Sequence, residues 1–276
     1  MAIVDTEHTF SVDEEYKSPI IPERHTQLSR RVVLSGEAKV HGGVFGNTIS
    51  IEAGNIEVMQ SMYSPSDVTV RLAVGGHCLL RSALVARRSL LVDSDETGRL
   101  RIGGMVYTRD ARIENARIYG SIIAESLVLK NSLVLGEVLV RNKVSMTGCF
   151  VGSFKAGHVT IEGKGALWMP YGAAREGIEL NGQLLCHPLR DYESAHANVS
   201  LSQNDIKTVT HTNQITGESE TLQVISVNGR VLDTEEINAC MERSQQEHLH
   251  MCQLLEENRL DELSAAEDAL LEPIRS

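Results

Sequence analysis

Short alternating runs of apolar and polar residues, interrupted by glycines, fill the chain from about residue 31 to residue 186. The segment 132–142, SLVLGEVLVRN, is typical, with leucine and valine recurring on both sides of Gly136. Alternation of this kind predicts short, half-buried β-strands, and glycine is common where such a chain turns. The pattern predicts a mainly β fold and leaves open whether the strands form hairpins or repeated coils.

A repeat distinguishes these two arrangements. Glycines recur at a spacing of 16 residues, at Gly104, Gly120, Gly136 and Gly152. Apolar residues share columns in the same register, with Ile118, Val134 and Phe150 in one and Ile122, Val138 and Phe154 in another. Equivalent positions stack on successive coils of a solenoid, whereas a hairpin meander keeps no such period. We therefore predict a parallel β-helix with coils of about 16 residues and the four glycines at its corners. Left-handed hexapeptide helices have longer coils, so a right-handed, three-faced helix is expected.

The chain is expected to contain five segments. They are an extended lead-in (1–30), the β-helix (31–186), a polar linker (187–205), a small β-meander (206–232) and acidic amphipathic helices (233–276). The meander is predicted from alternating β-branched residues and from the turn pairs Thr216-Gly217 and Asn228-Gly229. Asn-Gly favours the type I′ turn of a tight hairpin.

Two helices are predicted after the meander. Asp233 and Glu236 have the spacing of a capping box, which marks a helix N-terminus. One apolar face of the first helix contains Ile237, Met241, Ser244, His248, Met251 and Leu255. A second amphipathic run follows Asn258, contains Leu260, Leu263, Ala266 and Leu270, and is expected to end before Pro273.

Charge is concentrated in the helical segment. Residues 233–276 contain 12 acidic residues and 3 arginines, which gives −9 of the net charge of −11 and leaves −2 for the rest. An acidic chain without a basic face is not expected to bind nucleic acid. The N-terminal residues have no signal-peptide pattern, no run is apolar enough to span a membrane, and the five cysteines form no CxxC pair. We expect a cytoplasmic protein; attachment to the inner face of a membrane is an alternative that the N-terminal residues do not support.

Candidate chemistry is sparse. Cys240, His248 and Cys252 share one side of a predicted helix and are the best metal candidates, but no further ligand completes a site, so no metal or cofactor is expected. His77 and Cys78 are adjacent on a predicted strand and therefore face opposite sides, which excludes a catalytic dyad. Outward positions of the regular coils carry charges of mixed sign, such as Arg112, Glu114 and Lys155, rather than a gathered set of carboxylates. We expect no enzymatic activity; a carbohydrate-active enzyme is the weaker alternative.

The alternations VVLSGEAKVHGGVFGNTISIEAG and ARIYGSIIAESLVLKNSLVLGEVLVRNKVSMTGCFVGSF resemble the bactofilins, bacterial cytoskeletal proteins with a compact right-handed β-helix. The resemblance covers about half of the chain. It implies nucleotide-independent, end-to-end assembly into filaments or scaffolds. It also implies an assembly role for an aromatic residue near the C-terminal end of the core, where Phe150 and Phe154 are the nearest match. The chain departs from the family in its longer core and in its structured-looking C-terminal segment.

These patterns predict a non-enzymatic structural or scaffold protein that self-associates through the ends of its β-helix. The exposed end of a solenoid presents unpaired backbone groups and apolar core, which a second solenoid can extend. The alternative is a capped binding or adaptor module whose C-terminal helices recruit a protein partner. The two differ in one structural feature, because a C-terminal segment that covers the last coil blocks one end of the solenoid.

Overall fold

The chain forms a β-solenoid of about nine turns, followed by a few C-terminal helices, and about 60% of it is strand. This architecture, taken from a computed structural model, confirms the fold class that the repeat predicts; the handedness stays a prediction. The structure describes residues 3–6, 8–23, 25–95, 99–186, 199–212 and 217–275. The chain divides into two compact units, which are Met1–Leu127 with Asn131–Leu133, and Val128–Lys130 with Val134–Ser276.

The strands are mostly short. The first fifteen are β1 (Ile3–Asp5), β2 (Thr9–Val12), β3 (Glu15–Tyr16), β4 (Arg31–Gly36), β5 (Lys39–Val40), β6 (Val44–Phe45), β7 (Thr48–Val58), β8 (Met62–Ser64), β9 (Asp67–Leu72), β10 (His77–Leu80), β11 (Leu84–Ser94), β12 (Arg99–Ile102), β13 (Val106–Glu114), β14 (Ala116–Ile118) and β15 (Ile122–Lys130). The others are β16 (Leu133–Thr147), β17 (Phe150–Leu167), β18 (Gly172–Cys186), β19 (Val199–Leu201), β20 (Ile206–Thr212) and β21 (Ser219–Ile225). Two 3₁₀ turns span His25–Ser29 and Gln203–Asp205, and the helices are α1 (Thr234–Glu256) and α2 (Leu260–Arg275).

Parallel pairing along three faces defines the coils of the first unit. On one face β2 pairs with β4, β4 with β7, β7 with β9 and β9 with β11. On the second, β3 pairs with β5, β5 with β7, β7 with β10 and β10 with β12. On the third, Ile20 bridges to Val44, β6 pairs with β8 and β8 with β11. The long strands β7 and β11 each turn a corner and contribute to two faces.

The glycines of the 16-residue column lie where neighbouring coils approach closely. A Cβ atom built on Gly120 would lie 2.5 Å from the carbonyl carbon of Gly104. A Cβ atom built on Gly152 would lie 2.6 Å from the carbonyl oxygen of Gly136. Any side chain at these positions would collide with backbone, so the spacing of 16 residues has a steric cause.

The period of 16 residues does not extend to every coil. Leu100 lies opposite Ala116, which is the predicted spacing. Thr48 lies opposite Asp67 and Asp67 opposite Ser89, so the earlier coils are longer by three to six residues.

The solenoid begins before the predicted boundary at residue 31. Within the expected lead-in, 1–30, β2 pairs in parallel with β4 and β3 pairs with β5. Phe10 and Val12 are buried, because alternate residues of β2 enter the core. Residues from Thr9 onward therefore form a first coil rather than a lead-in.

The segment after the solenoid differs in part from the predicted linker and meander. Residues 187–198 lie outside the described part of the chain, but β19 lies within the predicted linker 187–205 and pairs antiparallel with β18. β20 and β21 form the expected antiparallel hairpin, although Thr216, in its predicted turn, is outside the described residues. Asn228 and Gly229 both have positive φ, at 51° and 77°, between the bridged Val227 and Arg230, as a type I′ turn requires.

Both C-terminal helices are present. The Asp233 side chain accepts a hydrogen bond from the Glu236 N–H, and the Glu236 side chain accepts one from the Asp233 N–H, which completes the predicted capping box. The expected end before Pro273 is wrong, since α2 continues to Arg275. Ile274 is buried beyond the proline, and this packing stabilises the last turn. No helix in the described parts of the chain is long and apolar enough to cross a membrane.

Candidate interaction surface at the first coil

The first coil presents open backbone edges. Among the described residues, β3 pairs only with β5, and Ile20 bridges only to Val44. The remaining face of this coil is covered by β1, which pairs antiparallel with β2. Two of the three faces therefore end in unpaired strand, and the third ends in a three-residue edge strand.

At the outer edge of β1, backbone hydrogen-bonding groups face away from β2. Thr6 donates its N–H to the Thr9 carbonyl at 2.9 Å, so this pair is the hydrogen-bonded one that closes the turn. Hydrogen-bonded and non-hydrogen-bonded pairs alternate along antiparallel strands. The pairs Ile3–Val12 and Asp5–Phe10 are therefore non-hydrogen-bonded, and the backbone N–H and C=O groups of Ile3 and Asp5 face away from β2.

Apolar side chains are exposed around this edge. Four of the large hydrophobic residues that remain exposed belong to β1 or the first coil, namely Ile3, Val4, Ile21 and Leu28. Ile21 is 55% exposed and Leu28 is 44% exposed. An apolar rim beside unpaired backbone is typical of a surface that another strand covers.

A buried arginine fixes β1 against the coil. Arg30 is 6% exposed, and its guanidinium lies 2.9 Å from the Asp5 carboxylate and 5.4 Å from the centre of the Phe10 ring. Tyr16 packs edge-on against Phe10 at 5.4 Å. The cation–π contact and the ion pair together hold β1 against the first coil.

The last coil, β18, is covered on all three faces. Ala173 and Ala174 pair antiparallel with β21, and residues 184–186 pair antiparallel with β19. On the middle face the partners are side chains rather than a strand. Gln203 accepts from the Leu180 N–H at 2.7 Å and donates to the Ile178 carbonyl at 3.0 Å, and Gln223 accepts from the Ile178 N–H at 2.7 Å. The C-terminal segment therefore caps this end of the solenoid.

Phe150 and Phe154, the predicted assembly residues, lie in the interior. They are 1% and 0% exposed, and β18 forms a further coil beyond β17. The ring of Phe154 packs where a Cβ atom on Gly172 would stand, and Phe150 lies edge-on to Trp168 at 5.8 Å. The expectation that these rings lie at an exposed joint is therefore wrong, because the last, less regular coil covers them.

The metal candidates do not form a described site. His248 is half-buried, with its ring 6.3 Å from that of Trp168, and Cys252 is half-buried with a thiol pKa that burial and the nearby Glu256 raise. The side chain of Cys240 lies outside the described residues. No group of three or more His, Cys, Asp or Glu side chains within the described ranges is arranged to hold a metal ion.

Charged side chains on the outer faces form ion pairs between coils. Glu57 contacts Lys39 at 2.8 Å and Arg81 at 2.7 Å, and these cations hold its pKa below the ordinary value in spite of partial burial. Arg109 lies 3.5 Å from Glu125. Cys78 is buried and burial raises its thiol pKa, while the adjacent His77 is exposed on the other side of β10. The ion pairs of Glu57 and Arg109 bind neighbouring coils to one another.

Two features at the ends of the solenoid were not predicted from the sequence. The first coil was missed because its strands are only two to four residues long. The roles of Gln203 and Gln223 were not predicted, because a glutamine that pairs with a strand edge looks the same in the sequence as a glutamine exposed to solvent. No signal in a single sequence distinguishes the two. The chain matches no protein-family model, and no curated protein and no solved structure shows significant similarity to it.

Proposed function

We propose that this protein is a non-enzymatic scaffold whose solenoid self-associates through the first coil into a closed dimer. The observation that supports this proposal is the difference in backbone pairing between the first and the last coil. β18 has partners on all three faces. Among the described residues, β3 and Ile20 of the first coil have no second strand partner, and an apolar rim lies beside them. An exposed strand edge with unpaired backbone groups is a template for pairing with another strand, so the open coil is the one that gains from association.

The occupant that fits this surface is a second copy of the same chain. Two β1 strands that pair antiparallel around a two-fold axis present identical donor and acceptor patterns to each other, as a self-complementary interface requires. Filaments of the kind that a bactofilin-like protein forms need a second open end, which the cap on β18 removes. Association through one surface therefore closes at two copies.

Substitutions on β1 test the interface. Ile3→Pro removes an outward-facing N–H and keeps the pairing with β2, because that N–H faces away from β2. Val4→Lys places a cation on the edge of each copy. Each change occurs twice in a two-fold interface, so we expect each to weaken dimerisation about tenfold or more in sedimentation velocity.

Val74→Lys is the matched control. Val74 is a large hydrophobic residue of the same unit, 78% exposed, outside the first coil. It should leave the dimer unchanged, and circular dichroism should show that all three variants fold. Monomers at every concentration, open filaments in negative-stain electron microscopy, or a dimer that tolerates both β1 substitutions would each refute the proposal.

A further inference from the structure

A cleft of about 440 Å³ lies in the second unit, between the solenoid and α1. The solenoid contributes Glu137, Ser153, Trp168 and Tyr171, and α1 contributes Gln245 and His248. Its volume falls in the range of small-molecule sites, which are commonly apolar with a few polar groups. Neither the cap nor the first coil accounts for this combination of two aromatic rings and a carboxylate.

The aromatic wall is held in place by backbone pairing. The backbone N–H of Trp168 donates to the Val151 carbonyl at 2.9 Å, and the backbone N–H of Met169 donates to the Gly152 carbonyl at 2.8 Å. The indole also packs edge-on against Phe150. Because Trp168 and the corner that leads to Tyr171 are fixed by the solenoid, the wall exists without a ligand and needs little reorganisation to bind one.

One acidic side chain, that of Glu137, is among the described residues that line the cleft. Burial raises the pKa of the Glu137 carboxyl, and the charge of Lys155 acts in the opposite sense without cancelling that effect. Burial also raises the pKa of Tyr171, and the charges of Glu137 and Glu220 add to this shift. Glu137 is half-buried, so its carboxylate has lost part of its hydration. A cation placed beside this carboxylate is attracted to it, whereas an anion is repelled.

We propose that this cleft binds a small organic cation, with an ammonium group against the rings of Trp168 and Tyr171 and the Glu137 carboxylate as its counter-charge. Aromatic faces attract ammonium groups through the ring quadrupole, and the attraction grows when the cation is desolvated. The carboxylate then distinguishes a cation from a neutral molecule of the same shape.

Fluorescence of Trp168 provides a direct assay, because it is the only tryptophan in the chain. Choline and 2-phenylethylamine are the probes, and 3,3-dimethyl-1-butanol is the neutral molecule with the shape of choline. We expect a saturable fluorescence change with at least one of the two cations and none with the alcohol over the same concentrations. A response to the alcohol equal to that of choline, or no saturable response to either cation, would overturn the proposal.

Glu137→Gln tests the counter-charge and keeps the shape of the side chain. We expect it to weaken binding of the responding cation about tenfold. Glu176→Gln is the matched control, since Glu176 is an exposed carboxylate of the same unit outside the cleft, and it should bind as the unaltered chain does. Thermal unfolding of both variants checks that they fold. Binding that is unchanged in Glu137→Gln would contradict the assigned role of the carboxylate.

Discussion

Replacing Gly152 by alanine tests whether the glycine column is a steric requirement of the coil. The new Cβ atom would lie 2.6 Å from the Gly136 carbonyl oxygen and nearer still to that of Leu135, where an ordinary contact begins at 3.4 Å. Both neighbours are backbone, and the nearer one decides, so relief requires the two coils to separate by about 1 Å, well beyond what a side-chain rotation supplies. We expect a loss of about 3 kcal/mol in the free energy of unfolding, at the upper end of overpacking effects.

The assay is urea and thermal unfolding followed by Trp168 fluorescence, which reports on the same unit as Gly152. A loss of this size corresponds to a decrease in Tm of about 6–12 °C. Gly177→Ala is the control, because a Cβ atom there meets nothing closer than the His158 ring at 3.5 Å. It should be neutral or slightly stabilising, since alanine restricts the unfolded chain. A Gly152→Ala protein as stable as Gly177→Ala would refute the steric explanation of the 16-residue period.

Two further substitutions test the cap and the cleft. Gln203→Ala leaves the Leu180 N–H and the Ile178 carbonyl without their partner, so we expect a loss of roughly 1–3 kcal/mol and faster hydrogen exchange at Leu180, whereas Gln183→Ala, which removes an exposed contact with Ser200, should change neither. Glu137→Gln should raise Tm, because a carboxyl whose folded pKa is raised destabilises the fold once it is ionised. This penalty is present above the folded pKa and disappears below the unfolded one, so the gain should be larger at about pH 8 than at about pH 4, and an equal gain at both would contradict it.

The middle coils could be predicted from the sequence because backbone approach at Gly120 and Gly152 leaves no alternative to glycine. Such a constraint repeats at a fixed interval and is visible in one chain. The capping box of Asp233 and Glu236 is also local, since both hydrogen bonds join residues three apart. Predictions of this kind depend on short-range sterics and hydrogen bonding, and the structure contains both features.

The ends of the solenoid could not be predicted in the same way. Phe150 and Phe154 fall in regular apolar columns, and only the existence of β18, whose corner contains Pro170 and whose coil is longer, determines that they are interior. Gln203 reaches Leu180 across 23 residues of chain, 12 of them outside the described part. This pairing depends on the path by which the chain after β18 comes back to that strand. The local pattern of polar residues does not specify that path.

The cap and one wall of the cleft derive from one continuous segment, and this limits how they can be separated. The hairpin β20–β21 covers part of β18, and after the turn at Asn228 the chain enters α1, which forms one wall of the cleft. Substitutions that disrupt the cap are therefore expected to disturb the cleft as well. Glu137→Gln changes the cleft and leaves the cap hydrogen bonds of Gln203 and Gln223 in place. The first-coil surface shares no residue with either. If the Ile3→Pro variant no longer dimerises but keeps the Trp168 fluorescence response to the cation, then assembly depends on the backbone edge of the first coil and ligand binding depends on the side chains of the cleft.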